Sequence, residues 1–132
     1  MTSALCYVLD SEGLSRTVRG ERLMLARIKD AHRSGIRVVT SSMTLIEAYH
    51  GQVQHGAWAW AMSRVAVEPV THEVAQRAIA LLRNTGLHGH KHAIDAALAV
   101  IAGQLEGDVV LYTSDEDDMT KLCGERVRVV AL

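Results

Sequence analysis

The sequence is poor in the residues that break up a chain, cross-link it or carry it through a membrane. It has one proline and two cysteines among 132 residues, and no apolar run approaches the roughly 18 residues of a membrane span. Scattered glycines and a single proline argue against a linker, a low-complexity tract or a repeat. Cys6 and Cys123 lie too far apart for a metal-binding pair, and nothing requires an oxidising compartment. The apolar start at 4–9 is too short for a signal peptide. We therefore expect one domain over residues 1–132, located in the cytoplasm and without a membrane partner.

The sequence also lacks a strong charge of either sign. The formal net charge is −1, which excludes a protein that binds nucleic acid through bulk basic charge. The charge is nevertheless uneven, because seven of the fourteen lysines and arginines lie between Arg16 and Arg37. This basic stretch is either the solvated face of a helix or an anion-binding surface, and the sequence leaves both open.

The apolar residues form short continuous runs that alternate with amphipathic segments. The runs predict strands at 4–9, 36–40, 65–70, 109–113 and 127–132. Helices are expected at 12–18, 21–35, 44–51, 57–64, 72–85, 92–105 and 115–123, with a His- and Gly-rich loop before the sixth. Continuous apolar strands are typical of parallel sheets that are buried on both faces. The fold class is therefore predicted as α/β, a three-layer sandwich with helices on both sides of a parallel sheet.

Acidic residues follow the predicted strands. Asp10 comes directly after the first strand, Asp115 follows the fourth by two residues, and Glu47 lies in the helix after the second. Asp95 lies in an apolar helix, where an unpaired carboxylate is costly to bury. Ligands gather at the carboxyl ends of strands in such sheets, so these four acids are expected at one edge.

Each acid also has an ordinary structural explanation. Asp10 is well placed to cap a helix, and Glu47 alone is a solvated helix residue. Asp95 can pair with Lys91 or His92 on its own helix. The acids at 115–118 suit the start of a helix. The functional hypothesis therefore depends on their convergence. Clustered carboxylates repel one another unless a cation neutralises them, and they suit Mg²⁺ or Mn²⁺. Such ions activate water and stabilise the leaving oxygen of a phosphodiester.

At these acids the chain resembles the PIN-domain family, and within it the VapC toxins of bacterial toxin–antitoxin pairs. The matching segments are VLDSEGLSR around Asp10, TLIEAYHG around Glu47, HAIDAALAVIA around Asp95 and VVLYTSDEDDM around Asp115 and Asp118. The resemblance implies a five-stranded parallel sheet and a Mg²⁺- or Mn²⁺-dependent endoribonuclease in which water, not the RNA 2′-hydroxyl, attacks. It further implies a homodimer, and a VapB-type antitoxin whose C-terminal segment blocks the site.

The resemblance also assigns roles to individual residues. The metal-binding and catalytic carboxylates would be Asp10, Glu47, Asp95 and Asp115. Asp118 would be a further metal ligand or a group that orients one, and Ser11 and Thr113 would orient the acids. Glu116 and Asp117 match no family position and are expected to be solvated.

Two departures from the family pattern leave questions open. Glu12 stands where the family often has a small residue, so it either adds charge near the metal or points to solvent. The segment HGHKH at 88–92 contains three histidines, His88, His90 and His92. They are expected to be exposed in a loop, with metal binding as the alternative, and His92 and Lys91 are placed to face RNA.

Other functions remain as alternatives. A PIN-like protein that binds RNA or a partner, or that acts in RNA maturation, would share the fold without being a toxin. A receiver-like signalling domain is also a small sheet with acids at strand ends, but Asp10 lacks the adjacent acid which that fold requires. Aspartyl phosphatases want a second Asp two residues after the first, where this chain has Glu12.

Overall fold

The computed structural model describes residues 5–132, in which strands and helices alternate. The strands are β1 Leu5–Leu9, β2 Arg37–Ser41, β3 Ala66–Glu68, β4 Asp108–Thr113 and β5 Arg128–Ala131. The helices are α1 Ser11–Val18, α2 Arg22–Arg33, α3 Ser42–Ala48, α4 His55–Arg64, α5 His72–Thr85, α6 Gly89–Gln104 and α7 Glu116–Cys123. The sequence prediction for the first strand began at residue 4, which lies outside the described residues.

All five strands pair in parallel in the order β3-β2-β1-β4-β5. The chain moves outward from β1 to β3 and then crosses back to β4 on the other side of β1. The order of connection therefore reverses between β1 and β4, the place where ligands bind in open α/β sheets. A receiver-like domain has the order 2-1-3-4-5, so the receiver-like alternative is wrong.

The sheet is covered on both faces, because successive side chains of a strand point in opposite directions. In β1, Cys6 and Val8 enter a core with α5, α6 and α7. Their neighbours Tyr7 and Leu9 enter a second core against α2 and α4. This confirms the predicted three-layer sandwich, and it explains why the strands read as uninterrupted apolar runs.

Several predicted boundaries were wrong by two or three residues. The third helix was predicted over 44–51 but spans Ser42–Ala48, and the fourth was predicted from 57 but begins at His55. The third strand was predicted over 65–70 but ends at Glu68, because Pro69 offers no N–H to a ladder. The N–H of Val70 instead bonds the Ser42 hydroxyl at 3.1 Å. The sixth helix was predicted from 92 but begins at Gly89, so part of the His-rich loop is its first turn. Glycine and histidine have low helix propensity, so the local pattern favoured a loop here.

No helix within residues 5–132 combines the length and the apolar character that crossing a membrane demands.

Candidate functional site

Asp10 is held at the end of β1 by three hydrogen bonds. Its Oδ1 accepts from the backbone N–H of Gly13 at 2.8 Å and so caps α1. Its Oδ2 accepts from the Thr113 hydroxyl at 2.7 Å and from the backbone N–H of Ser114 at 3.0 Å. The side chain is buried. Asp10 is therefore the helix cap that the ordinary explanation required, but it is also joined to the end of the neighbouring strand β4.

Thr113 links Asp10 to Asp115. Its buried hydroxyl donates to Asp10 and accepts from the backbone N–H of Asp115 at 2.9 Å. Asp115 occupies the cap position of α7, but its side chain makes no capping hydrogen bond. The carboxylate of Asp115 is therefore not committed to the helix start, unlike that of Asp10.

Glu47 reaches the same edge of the sheet from helix α3. It lies near the end of α3, and its Oε1 accepts a hydrogen bond from the Ser11 hydroxyl at the start of α1. Since Ser11 directly follows Asp10, this bond brings Glu47 toward the same edge of the sheet. The side chain of Glu47 is otherwise exposed.

The raised pKa of Asp95 shows that the acids lie close to one another. Its pKa is raised from 3.8 to about 6, first by burial and then by the negative charges of four other acids. Those acids are Asp10, Glu47, Asp115 and Asp118. The structure therefore brings together all five acids that the sequence singled out. Within residues 5–132 Asp95 forms no ion pair, so the suggested pair with Lys91 or His92 is not made.

Asp95 reaches this edge because α6 leads directly into β4. A crossover helix runs opposite to the strand that follows it, so the first turns of α6 lie at the carboxyl edge of the sheet. His92 and Asp95 are three residues apart and share one side of these turns.

His92 is a residue of the site whose burial beside the acids the sequence did not predict. It is only 6% exposed, and its Nδ1 lies 3.6 Å from Oδ2 of Asp118 on α7. A ring nitrogen of His92 and one carboxylate oxygen each of Asp95 and Asp115 all lie within 4.8 Å of one another, a spacing that can hold a metal ion. The expectation that His92 is exposed was wrong, whereas His88 and His90 are exposed. The signal in the sequence that could have placed His92 at the site is its position three residues before Asp95, on the same side of the helix.

The remaining acids of the segment 115–118 behave differently. Glu116 and Asp117 are exposed, as expected for charges at the start of a helix. Asp118 is half-buried and faces His92. Within this run of four acids, the structure thus separates two solvated charges from two that turn toward the sheet.

Glu12 is neutralised by its own helix and the turn that follows. Its carboxylate pairs with Arg16 at 3.2 Å and Arg19 at 3.0 Å, and the hydrogen bond from Arg19 is the main reason that its pKa is lowered. Arg16 also lies 3.5 Å from Glu21. Glu12 therefore brings no uncompensated charge to the acid cluster.

Much of the basic stretch is used within the fold. Besides the arginines at Glu12, Arg37 pairs with Glu68 at 2.9 Å, and Arg27 lies over the Tyr112 ring at 4.5 Å from its centre. In the part of the chain that the structure describes, three exposed cations of this stretch form no ion pair, namely Arg22, Lys29 and Arg33.

Comparison with known proteins supports the fold. No family model matches the sequence, and a search of curated proteins gave no match. Among solved structures, the chain is similar to a chain in the crystal structure of VapBC2 from Rickettsia felis bound to a DNA fragment from their promoter. The TM-score is 0.69 over 96% of this chain and 98% of that chain, at 11% sequence identity. This likeness confirms the predicted fold class and, at the level of the fold, the resemblance to VapC proteins.

Proposed function

We propose that this protein is a metal-dependent endoribonuclease, the toxin of a VapBC-type toxin–antitoxin pair that acts in the cytoplasm. The observation that carries the proposal is the raised pKa of Asp95, caused by burial and by four further acids at the switch point of the sheet. A fold gains nothing from placing like charges together, since the repulsion lowers its stability. Clustered acids at this position are what a cation-dependent phosphodiesterase requires.

The donor set fits a hard divalent cation. Asp10, Glu47, Asp95 and Asp115 would hold Mg²⁺ or Mn²⁺ through carboxylate oxygens, and water and an RNA phosphate oxygen would complete the shell. When bound, the cation would polarise the scissile phosphate and lower the pKa of the attacking water.

The chain itself supplies position. Three donors fix the Asp10 carboxylate, so it loses little freedom when a ligand arrives. The Ser11 hydroxyl holds Glu47 in the same way.

RNA would approach over the carboxyl edge of the sheet. Of the three exposed cations named above that form no ion pair, Arg22 begins α2, and Lys29 and Arg33 lie about two and three turns further on. Because α2 precedes β2 and runs opposite to it, Arg22 lies nearest the carboxyl edge. We therefore assign RNA phosphate contact to Arg22 before the other two.

The antitoxin and the second copy of the chain are also part of the proposal. The antitoxin would place its C-terminal segment across the acid cluster and so block it, and an acidic part of the antitoxin would contact the basic stretch. We propose that the homodimer forms through the apolar groove between α3, α5 and α6, which has a volume of about 270 Å³. Its lining includes Met43, Ile79, Leu82 and Ile94. Ile79 is 57% exposed there, and Ile46 on α3 is 68% exposed. Exposed apolar side chains beside an apolar groove suit a self-complementary contact.

The dimer is tested by the molar mass in solution. Ile79→Glu should convert a dimer to a monomer in light scattering, because it introduces a charge into the contact. Leu23→Glu is the control, since Leu23 is similarly exposed at 53% but lies on α2. A wild-type monomer, or a dimer that survives Ile79→Glu, would reject this surface.

The alternative is a PIN-like protein that binds RNA or a partner, or acts in RNA maturation, without being a toxin. Two observations distinguish this alternative from a toxin. One is whether the purified protein cuts RNA, and the other is whether a gene for a short antitoxin lies next to its own.

The test of the proposed function is cleavage of a mixed RNA pool by purified protein with Mg²⁺, with Mn²⁺ and with EDTA. We expect cation-dependent cutting that leaves 5′-phosphate ends and is lost in Asp95→Asn. Asp117→Asn, an exposed acid on α7, is the matched control and should cut like the wild type. Cutting in EDTA, or cutting by Asp95→Asn, would refute the proposed site. A folded protein that binds RNA but cuts none with either cation would favour the binding alternative.

A further inference from the structure

We propose that His92 supplies a nitrogen ligand to the cation and that Asp118 orients this imidazole instead of binding the cation itself. The inference rests on the proposed metal site and deepens it. It adds a residue type that the acidic pattern does not contain, and it assigns to the site a preference among cations.

The first observation is the burial of His92 without a hydrogen bond. The side chain is more than nine-tenths buried, at 6% exposure, and no hydrogen bond to its ring forms within residues 5–132. Among residues 5–132 no side-chain nitrogen or oxygen is fully buried without a hydrogen-bond partner, so the ring nitrogens of His92 keep contact with water although the ring itself is largely enclosed. A ring nitrogen that is open to water beside carboxylates, and that no protein group occupies, has a lone pair available for a cation.

The second observation is the direction of the ring. One of its nitrogens lies within 4.8 Å of a carboxylate oxygen of both Asp95 and Asp115, which in turn lie within that distance of each other. Because the three atoms lie within 4.8 Å of one another, an ion at their centre would be at most about 2.8 Å from each, near the roughly 2.0–2.6 Å bonds of divalent cations to nitrogen and oxygen. The triangle joins two elements, because His92 and Asp95 belong to α6 whereas Asp115 precedes α7.

The third observation is Asp118. Its Oδ2 lies 3.6 Å from Nδ1 of His92, slightly beyond hydrogen-bond distance. A neutral imidazole carries one N–H and one lone pair. If Nδ1–H is directed to Asp118, Nε2 is left as the donor to the cation. Histidine ligands in metal sites commonly have such a carboxylate behind them, which fixes the ring and raises its basicity.

This arrangement has a structural competitor. A protonated His92 paired with Asp118 would simply hold α6 against α7, and no cation would be involved. The two arrangements differ in what they change, because the ion pair affects the stability of the protein whereas the ligand affects its affinity for particular cations.

The preference for cations follows from the donor. Both ions bind oxygen well, but Mn²⁺, a transition ion, gains more from an imidazole nitrogen than Mg²⁺, which dehydrates reluctantly and retains its waters. Removing His92 should therefore weaken Mn²⁺ binding by about tenfold or more, the effect typical for the groups around a metal site. The affinity for Mg²⁺ should change by less than about threefold, because the oxygen ligands remain.

The experiment is titration calorimetry of the whole protein with Mn²⁺ and with Mg²⁺, for the wild type, His92→Ala, Asp118→Asn and His90→Ala. His90 is the matched control, since it is exposed in the same turn of α6. We expect Mn²⁺ affinity to fall in His92→Ala, to fall less in Asp118→Asn, and to be retained in His90→Ala. If His92→Ala does not fold, His92→Gln replaces it.

A spectroscopic measurement reports the bond itself. The electron spin echo of Mn²⁺ bound to the wild type should show modulation from a directly coordinated ¹⁴N, which should be absent in His92→Ala and present in His90→Ala. No nitrogen modulation in the wild type, or equal losses of Mn²⁺ and Mg²⁺ affinity in His92→Ala, would overturn the assignment. Failure of the wild type to bind either cation would instead overturn the proposed metal site as a whole.

Discussion

Replacing Asp95 by asparagine should stabilise the cation-free protein while it abolishes RNA cleavage. The pKa of Asp95 is about 6 in the folded protein and 3.8 ordinarily, a difference of about two units. At 1.36 kcal/mol per unit, keeping Asp95 ionised at pH 8 costs the fold about 3 kcal/mol. The carboxylate retains some contact with water, and screening reduces this penalty to about 1–2 kcal/mol. Asparagine keeps the shape and removes the charge, so it should recover that amount.

The stability that Asp95→Asn gains over the wild type should increase as the pH rises. A raised carboxyl pKa means that the folded protein binds more protons than the unfolded chain between pH 4 and 6, so stability falls as pH rises through this window. The penalty is complete above the folded pKa and absent below pH 4. Asp95→Asn should therefore be more stable than the wild type at pH 8 and nearly equal to it at pH 4.

The assay is urea unfolding in EDTA at both pH values, followed by circular dichroism. Urea is used because it is uncharged and does not screen the acids. Asp117→Asn serves as control and should change stability by less than about 0.5 kcal/mol, because it is an exposed surface substitution. An Asp95→Asn protein that is less stable than the wild type at pH 8 would refute the reasoning, since it would mean that the carboxylate makes a stabilising pair.

Two further changes test neighbouring parts of the site. Thr113→Val removes the hydroxyl that joins Asp10 to the N–H of Asp115, and we expect it to lose about 1–3 kcal/mol of stability in urea unfolding and 10–100-fold in cation affinity by calorimetry. Thr113→Ser keeps the hydroxyl and should retain most of the affinity, and equal losses in the two variants would contradict this role. Cys123 should react with a thiol reagent at pH 8 about 100-fold more slowly than an ordinary cysteine, because burial, and next the charge of Asp95, raise its pKa from 9.0 to about 11. An ordinary rate in the folded protein would show that the thiol is not buried as described.

The sequence was most informative about where the strands lie and which acids follow them. The apolar runs located all five strands, because a strand covered on both faces is mostly apolar along its length. The acids after β1 and β4 could be placed at one edge, since parallel strands end together. Strand order is different in kind, because nothing in the local pattern records which strands are neighbours, and the resemblance implied only the number of strands and their parallel direction.

The sequence could not determine what each side chain contacts. Glycine and histidine in 88–92 favour a loop locally, but the helix already begins there, with the backbone N–H groups of Lys91 and His92 bonded to the His88 carbonyl. The burial of His92 and its approach to Asp118 depend on how α6 and α7 pack, over a separation of 26 residues that no local rule covers. For the same reason the sequence offered two alternatives for Glu12 and missed the third, its pairing with two arginines.

The hydrogen bond between Thr113 and Asp10 has a consequence for the timing of folding. It spans 103 residues of sequence, and β1 pairs with β4 over a similar separation. Closing so long a loop is entropically costly, so this pairing is among the slower events of folding. At a synthesis rate of about 5–20 residues per second, roughly 5–20 s separate the emergence of the two partners from the ribosome. Until β4 arrives, Asp10 lacks two of its three donors, and a nascent chain holds the acids of the cluster apart.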